Sequence, residues 1–231
     1  MLKNLKGAKR MQKLVLAAVC VTGIMTLAGG TAAASTETAN EQLKARVSEA
    51  ETLLSNLGYW VLKVDGVTDA STRQAVIAFQ KAEGLKRTGI LNEDLLAKMR
   101  TASRPTAKHA GEAHVEIDLA RQILMLVDEA GQVTRVLAVS TGSGEWYVSE
   151  GKRQKAYTPT GEFKITRQIK GFRKAPLGNI YYPSYFHEGW AIHGSNSIPV
   201  TPASHGCARV PRFAEKGLSS MLHVGMPVFI Y

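Results

Sequence analysis

The spacing of apolar residues changes once along this chain, at a short polar segment, TASRPTAKHAGE, residues 101–112. Before it, apolar residues recur at helical spacing. After it, they come in short runs of branched and aromatic side chains broken by turn residues. Two periods on either side of a proline-containing polar stretch predict a multidomain molecule, helical first and mainly β second. The 231 residues, 45% of them apolar, suffice for both parts and exclude disorder throughout.

The helical part is predicted over residues 43–100 as a small three-helix domain. Leu43, Val47, Ala50, Leu54 and Leu57 lie on one face of a first helix, and Gly58 stands where a helix ends. A second helix starts at a cap near Ser71 or Thr72 and runs through Ala75, Val76 and Phe79 to Gly84. A third spans residues 92–99 with Asn92 as its cap, and Asp65-Gly66 is a tight turn. Leu54, Leu57, Val76 and Phe79 are the expected core, whereas Tyr59 and Trp60 fit either packing or stacking on a sugar. Residues 35–42, STETANEQ, are polar and are expected to be a flexible lead.

Residues 113–231 contain HVEIDL, QILMLVD, VTRVLAVST, EFKITRQI, GNIYYPSYF, GWAIHG and MPVFIY. These predict a β-sandwich-like domain with one or more short helices, one of them over residues 212–222. Residues 101–112 are then a linker.

Residues 1–34 have the pattern of a secretory signal peptide. Lys3, Lys6, Lys9, Arg10 and Lys13 precede the uncharged, mostly apolar residues 14–28, and Ala32, Ala33 and Ala34 offer a cleavage site. An uncleaved anchor is the alternative, but the apolar stretch is shorter than the ~20 residues that span a bilayer. Export across the cytoplasmic membrane to the cell envelope, periplasm or wall, follows either way, with no stable membrane insertion after cleavage. Cys20 follows the bulky Val19, which argues against a lipoprotein. Removing this segment lowers the net charge from +10 to +5. That is no case for nucleic acid as partner; it suits an anionic polymer such as a cell wall and, equally, a solvated basic surface.

The mature chain keeps one thiol, Cys207, so no disulfide can form within it. A solitary cysteine in an oxidising compartment is either buried as a small apolar residue or reactive. Its neighbourhood is AIHGSNSIPVTPASHGCARV, residues 191–210. A thiolate is the reactive form of cysteine, and an imidazole such as that of His193 can take the proton. Gly206 lets the backbone approach a substrate carbonyl. Consecutive amides at His205, Gly206 and Cys207 can face a developing oxyanion.

Two family resemblances rest on these residues. LGYW, VDGVTDASTRQAVIAFQ and GLKRTG, within residues 43–100, resemble the peptidoglycan-binding domain of the PG_binding_1 type. HG at 193–194, SHGCAR at 204–209 and TPTGEF at 158–163 resemble the L,D-transpeptidase (YkuD-like) family over residues 113–231. The spacing between HG and SHGC is somewhat shorter than in many members. The resemblance implies Cys207 as nucleophile, His193 as general base, and Gly194 holding the imidazole through its backbone. It gives His205 a backbone and local structural role, Ser204 a part in ordering the loop, and Arg209 either a loop contact or a substrate carboxylate. Tyr182 and Trp190 are the preferred cleft aromatics because they lie shortly before His193.

The implied partner is peptidoglycan, its stem peptides and glycan, and no cofactor is implied. The implied reaction is attack on the bond between the third stem residue and the terminal D-alanine. Release of D-alanine and a 3 to 3 cross-link follow, or hydrolysis if the enzyme is an L,D-carboxypeptidase. A non-enzymatic wall-binding protein is the competing class. A zinc site on His193, His205 and Cys207 lacks an HExxH motif and an acidic partner. A glycosidase lacks a recognisable carboxylate pair. His109, His114, His187 and His223 have no evident partner pattern and are expected at the surface or in the linker.

Overall fold

A computed structural model describes residues 29–231, so most of the expected signal peptide lies outside the described residues. The first helix, α1 (Gly29–Asn56), begins well ahead of Leu43. Residues 36–42, expected within a flexible lead, are helical and exposed. Neither glycine nor proline interrupts residues 31–56, and the alanines there favour a helix; their polar neighbours dictate exposure, not the absence of structure. Helices α2 (Ala70–Ala82) and α3 (Glu93–Thr101) complete the helical module.

Asp69 caps α2 by accepting from the Thr72 amide at 2.9 Å, two residues ahead of the predicted position. A carboxylate there also accepts from the Ser71 hydroxyl, so Ser71 serves the cap from inside the helix. Asn92 caps α3 through the Leu95 amide at 2.9 Å. Buried Glu51 ties the module together, accepting from the amides of Asp65 and Gly66 and from the Thr72 hydroxyl.

The remainder is mainly β. One sheet has the order β3-β2-β1-β12-β6, from β1 (His114–Asp118), β2 (Ile123–Val127), β3 (Val133–Ala138), β6 (Gly161–Lys164) and β12 (Pro227–Ile230). A second runs β11-β10-β9-β7, from β7 (Arg167–Gln168), β9 (Gly178–His187), β10 (Trp190–Ser195) and β11 (Ala208–Pro211), with β8 (Phe172–Ala175) also paired to β9. A separate hairpin joins β4 (Trp146–Ser149) to β5 (Lys152–Lys155). Helix α4 (Arg212–Met221) follows β11 directly.

Two apolar cores explain the strand sequences. Val115, Ile117, Leu124 and Leu126 of the first sheet meet Phe186, Ile192, Ala208 and Val210 of the second, together with Ala214 and Leu218 of α4. Ile123, Met125, Val127, Val133 and Val136 instead join Leu54, Val76, Phe79 and Leu96 of the helices. The sequence ILMLV of β2 is therefore buried at every position, because alternate residues enter different cores. The helical module and the β domain thus share a continuous core rather than meeting only through residues 101–112.

Tyr59 and Trp60 belong to this junction. Tyr59 is buried, edge-on to Phe79. The Trp60 amide donates to Val136 O at 3.1 Å, and its ring packs where Gly217 of α4 has no side chain. The segment 101–112 is irregular yet pinned. Arg104 donates to Val133 O and Asn56 O, and the Lys108 and His109 amides donate to buried Glu116. His114, expected at the surface, is 1% exposed beside the same carboxylate.

Candidate active site

Strands β10 and β11 run parallel, with Ile192 opposite Ala208 and His193 opposite Arg209. Cys207 immediately precedes β11 and comes level with Ala191. Paired residues of neighbouring strands share a face of the sheet, so His193 and Arg209 stand side by side on one face.

The strand opposite His193 is irregular. On β9, Ser184 pairs with Ile192 and Tyr181 with Gly194, so two residues of β9 oppose the single residue His193. Tyr182 takes φ +49° within this bulge. Pro183, which has no amide hydrogen to give a ladder, fills the other place. Tyr182 lines a narrow internal gap, too small for a water molecule, with His193, Gly194 and Glu215.

The imidazole is 5% exposed, and its Nδ1 lies 2.9 Å from the carbonyl of Gly194. A carbonyl only accepts, so Nδ1 carries the hydrogen and Nε2 keeps the lone pair. Burial pulls the His193 pKa down to about 4; the Gly194 carbonyl opposes this and the Arg209 charge adds to it. Gly194 is a close-approach position, since a β-carbon there would overlap the carboxylate of Glu215 from α4. Burial raises the Glu215 pKa against the pull of Arg212, and among the described residues its Oε2 has no hydrogen-bond partner.

The Cys207 thiol is half-buried and donates to Gly189 O at 3.8 Å rather than to His193. Burial pushes its pKa up, opposed by the Ala191 backbone and by Arg209. Arg209 is half-buried and, among the described residues, has no carboxylate partner.

Ser204 is buried, and its hydroxyl donates to Cys207 O at 2.6 Å while accepting from the Gly206 amide at 2.9 Å. The Gly206 amide is therefore engaged within the loop. Gly206 has φ +140°, and a β-carbon on it would lie 2.6 Å from Tyr157 O and overlap the Trp190 indole. Trp190 is fixed by donating Nε1–H to Tyr157 O at 2.9 Å. His205 is exposed, with its ring edge-on to Tyr147 of β4 at 4.6 Å.

Residues that the sequence did not single out hold the loop from behind. The Thr158 hydroxyl, in TPTG, donates to Gly206 O and accepts from the Gly142 amide. Thr141 O accepts from the Ala203 and Ser204 amides, and Ser143 N donates to Ser204 O at 2.9 Å. The backbones of Ser140 and Arg209 exchange two hydrogen bonds. Gln122, at φ +61°, donates to the Thr141 hydroxyl and accepts from the Thr141 amide. Only the TPTG motif carried a signal for any of these. Among the described residues no three His, Cys, Asp or Glu side chains gather as metal ligands would, and no helix is long and apolar enough to cross a membrane.

Comparison with known proteins agrees with this architecture. Residues 44–99 match PG_binding_1, a peptidoglycan binding domain, and residues 112–230 match YkuD, the L,D-transpeptidase catalytic domain. The crystal structure of an L,D-transpeptidase from Xylanimonas cellulosilytica is 41% identical, with 80% of this chain and 92% of that one covered at a TM-score of 0.77. An L,D-transpeptidase from Stackebrandtia nassauensis aligns at 23% identity over 80% of this chain and 90% of that one, with a TM-score of 0.47 that adds nothing further. No curated protein matches the chain. With more than half its length matched by the catalytic-domain model and a solved relative similar over four-fifths of it, the chain belongs to the L,D-transpeptidase (YkuD) family.

Proposed function

We propose that this protein is an exported cell-envelope enzyme that transfers peptidoglycan stem peptides through a thioester on Cys207, with His193 as the base. The observation that carries the reading is the parallel register of β10 and β11, which sets His193 beside Arg209, two residues from Cys207, while Gly194 O holds the Nδ1 hydrogen. The substrate class comes from family membership and from the peptidoglycan-binding match over residues 44–99.

Burial lowers the imidazole and raises the thiol, so the resting pair at neutral pH is neutral rather than a preformed thiolate and imidazolium. Deprotonation then accompanies attack. The Cys207 sulfur adds to the carbonyl carbon of the third stem residue as its proton passes to Nε2 of His193. The negative charge on the carbonyl oxygen is met by the amides of His205 and Cys207, the Gly206 amide being committed to Ser204. Collapse breaks the bond to D-alanine, whose amine takes the proton from His193.

A second stem's side-chain amine then attacks the thioester, gives a proton to His193 and leaves a new amide bond; the thiol recovers its proton. Water in place of the amine yields the trimmed tripeptide. Arg209, without an acidic partner beside Cys207, is suited to the D-alanine carboxylate. Trp190, held against Gly206 by its bond to Tyr157 O, is the aromatic that flanks Cys207.

Incubation with a tetrapeptide stem tests this directly by intact mass spectrometry. The expected result is a tripeptidyl adduct on Cys207 with an equivalent of free D-alanine, and no adduct on Cys207→Ala. D-Alanine release by Cys207→Ala would overturn the mechanism. Hydrolysed tripeptide as sole product, with amine acceptor present, would assign the carboxypeptidase reaction instead.

A further inference from the structure

The GLKRTG segment of the helical module has no part in the mechanism above, yet one of its side chains reaches the catalytic domain. Arg87 donates through Nη1 to Val200 O at 2.9 Å, and its Nη2 lies 3.3 and 3.4 Å from the carbonyls of Ala120 and Arg121. Val200 belongs to the segment that separates HG from SHGC, and its side chain packs against the core shared with the helices. A guanidinium has five donors in a rigid fork and no acceptor. One that gathers three backbone carbonyls from two separate segments fixes those segments relative to each other.

The loop that carries Arg87 is itself ordered from α2. Gln80 donates to the Thr88 hydroxyl at 3.0 Å and accepts from the Gly89 amide at 2.8 Å. The next residue of α2, buried Lys81, donates Nζ–H to Val139 O at 2.7 Å, next to Ser140. Ser140 in turn donates its hydroxyl to Thr201 O and pairs its backbone with Arg209. The helical module thus grips both segments, at residues 139 and 200, from which the hydrogen bonds around Ser204 and Cys207 are hung.

We infer that Arg87, with Lys81 in support, is a positioning residue of the catalytic loop, so that the peptidoglycan-binding-type module is a structural part of the active site and not only an anchor. The inference rests on the transpeptidase reading. It goes beyond that reading in requiring the module for turnover of a substrate free in solution, where anchoring to a wall is irrelevant.

The test uses the full chain and a soluble tetrapeptide. Arg87→Ala is expected to lower kcat between about tenfold and a hundredfold with a smaller change in KM, as displacement of a preorganised loop does. Alkylation of Cys207 by iodoacetamide, which needs no oxyanion site, is expected to change far less. Arg87→Lys, able to reach a single carbonyl, should recover part of the rate. Arg100→Ala, which removes an exposed ion pair with Glu49 in the same module, should leave turnover unchanged. Should Arg87→Ala not fold, Lys81→Met carries the test, with a smaller loss of kcat expected in the same direction. Wild-type turnover in folded Arg87→Ala, or in Lys81→Met where that variant carries the test, overturns the inference. Absence of D-alanine release by the wild type would instead strike the transpeptidase reading.

Discussion

Two histidines are buried in the β domain, and their partners differ. His114 of β1 is 1% exposed and His193 of β10 is 5% exposed. The Nε2 of His114 lies 3.3 Å from Glu116, a carboxylate that also accepts from the Lys108 and His109 amides and the Tyr231 hydroxyl. Among the described residues His193 has no carboxylate hydrogen-bond partner; its ring bonds only the neighbouring carbonyl of Gly194, and its other nitrogen is uncommitted. The first arrangement uses every group for cohesion between the linker, β1 and the C-terminal residue. The second withholds a lone pair from the fold, which is what a base requires.

The largest effect expected from breaking this contrast is on rate. Cys207→Ala should form no acyl adduct. His193→Gln, which keeps a polar side chain on β10, should lose about a hundredfold to ten-thousandfold in D-alanine release. Its thermal stability should stay near wild type. A rate within tenfold of wild type would remove His193 from the mechanism.

The corresponding change at the other histidine's partner should act on stability instead. Burial alone would raise the Glu116 carboxyl, but the donors of Lys108, His109, Tyr231 and His114 outweigh it and hold the group below the usual carboxylate range. Glu116→Ala leaves those donors unanswered and should cost about 3–5 kcal/mol in urea unfolding. Turnover per folded molecule should persist. Because this carboxyl is depressed in the fold, its stabilisation is present above the unfolded value near 4.5 and fades as pH falls through the folded value. Acid unfolding of wild type below the unfolded value of 4.5 should therefore be blunted in the variant.

The comparison also shows what a sequence discloses. SHGC and HG stood out through their likeness to a family signature; the chemistry of one cysteine and one histidine flanking a loop suggested a thiol site without that likeness only as a hypothesis. Nothing comparable marked Glu116, whose hydroxyl partner Tyr231 is 115 residues away in the chain. Arg87 was within a quoted motif, but its partners are backbone carbonyls, which any residue supplies. The helical core was legible from spacing at Leu54, Val76 and Phe79. The continuous burial of β2 was not assignable to a strand face, because the second face is covered by helices from another part of the chain. The start of α1 was missed because polar residues 36–42 suggested irregular chain, although polarity there specifies exposure only.

Acidity sharpens the contrast further. With the His193 pKa near 4 in the fold, the acid limb of kcat/KM should sit well below the ordinary imidazole value of 6.5. At pH 5 the rate should stay within about twofold of its neutral value, where an unshifted histidine would lose more than tenfold. The same depression means that the unfolded chain binds more protons than the native one between pH 6.5 and about 4, so His193 contributes falling stability across that window as pH drops. His193→Gln should flatten this part of the stability profile. An acid limb at 6.5 would show that the imidazole is not held neutral by burial.

The smallest effect expected is at His114 itself. Glutamine is long enough to keep one contact to Glu116 but loses the edge-on packing of the ring against Phe229 at 5.1 Å. The Glu116 carboxylate retains the Lys108, His109 and Tyr231 donors. His114→Gln should therefore cost only about 1 kcal/mol, read as a lower urea midpoint with an unchanged slope. Its kcat and the pH at which the acid limb falls should match wild type, because Glu116 and its donors lie on β1, on the segment before it and at Tyr231 rather than on β10 or β11. A shifted acid limb in this variant would mean that the His193 site depends on the cluster around Glu116, and the division between a cohesive imidazole and one proposed as a base would fail.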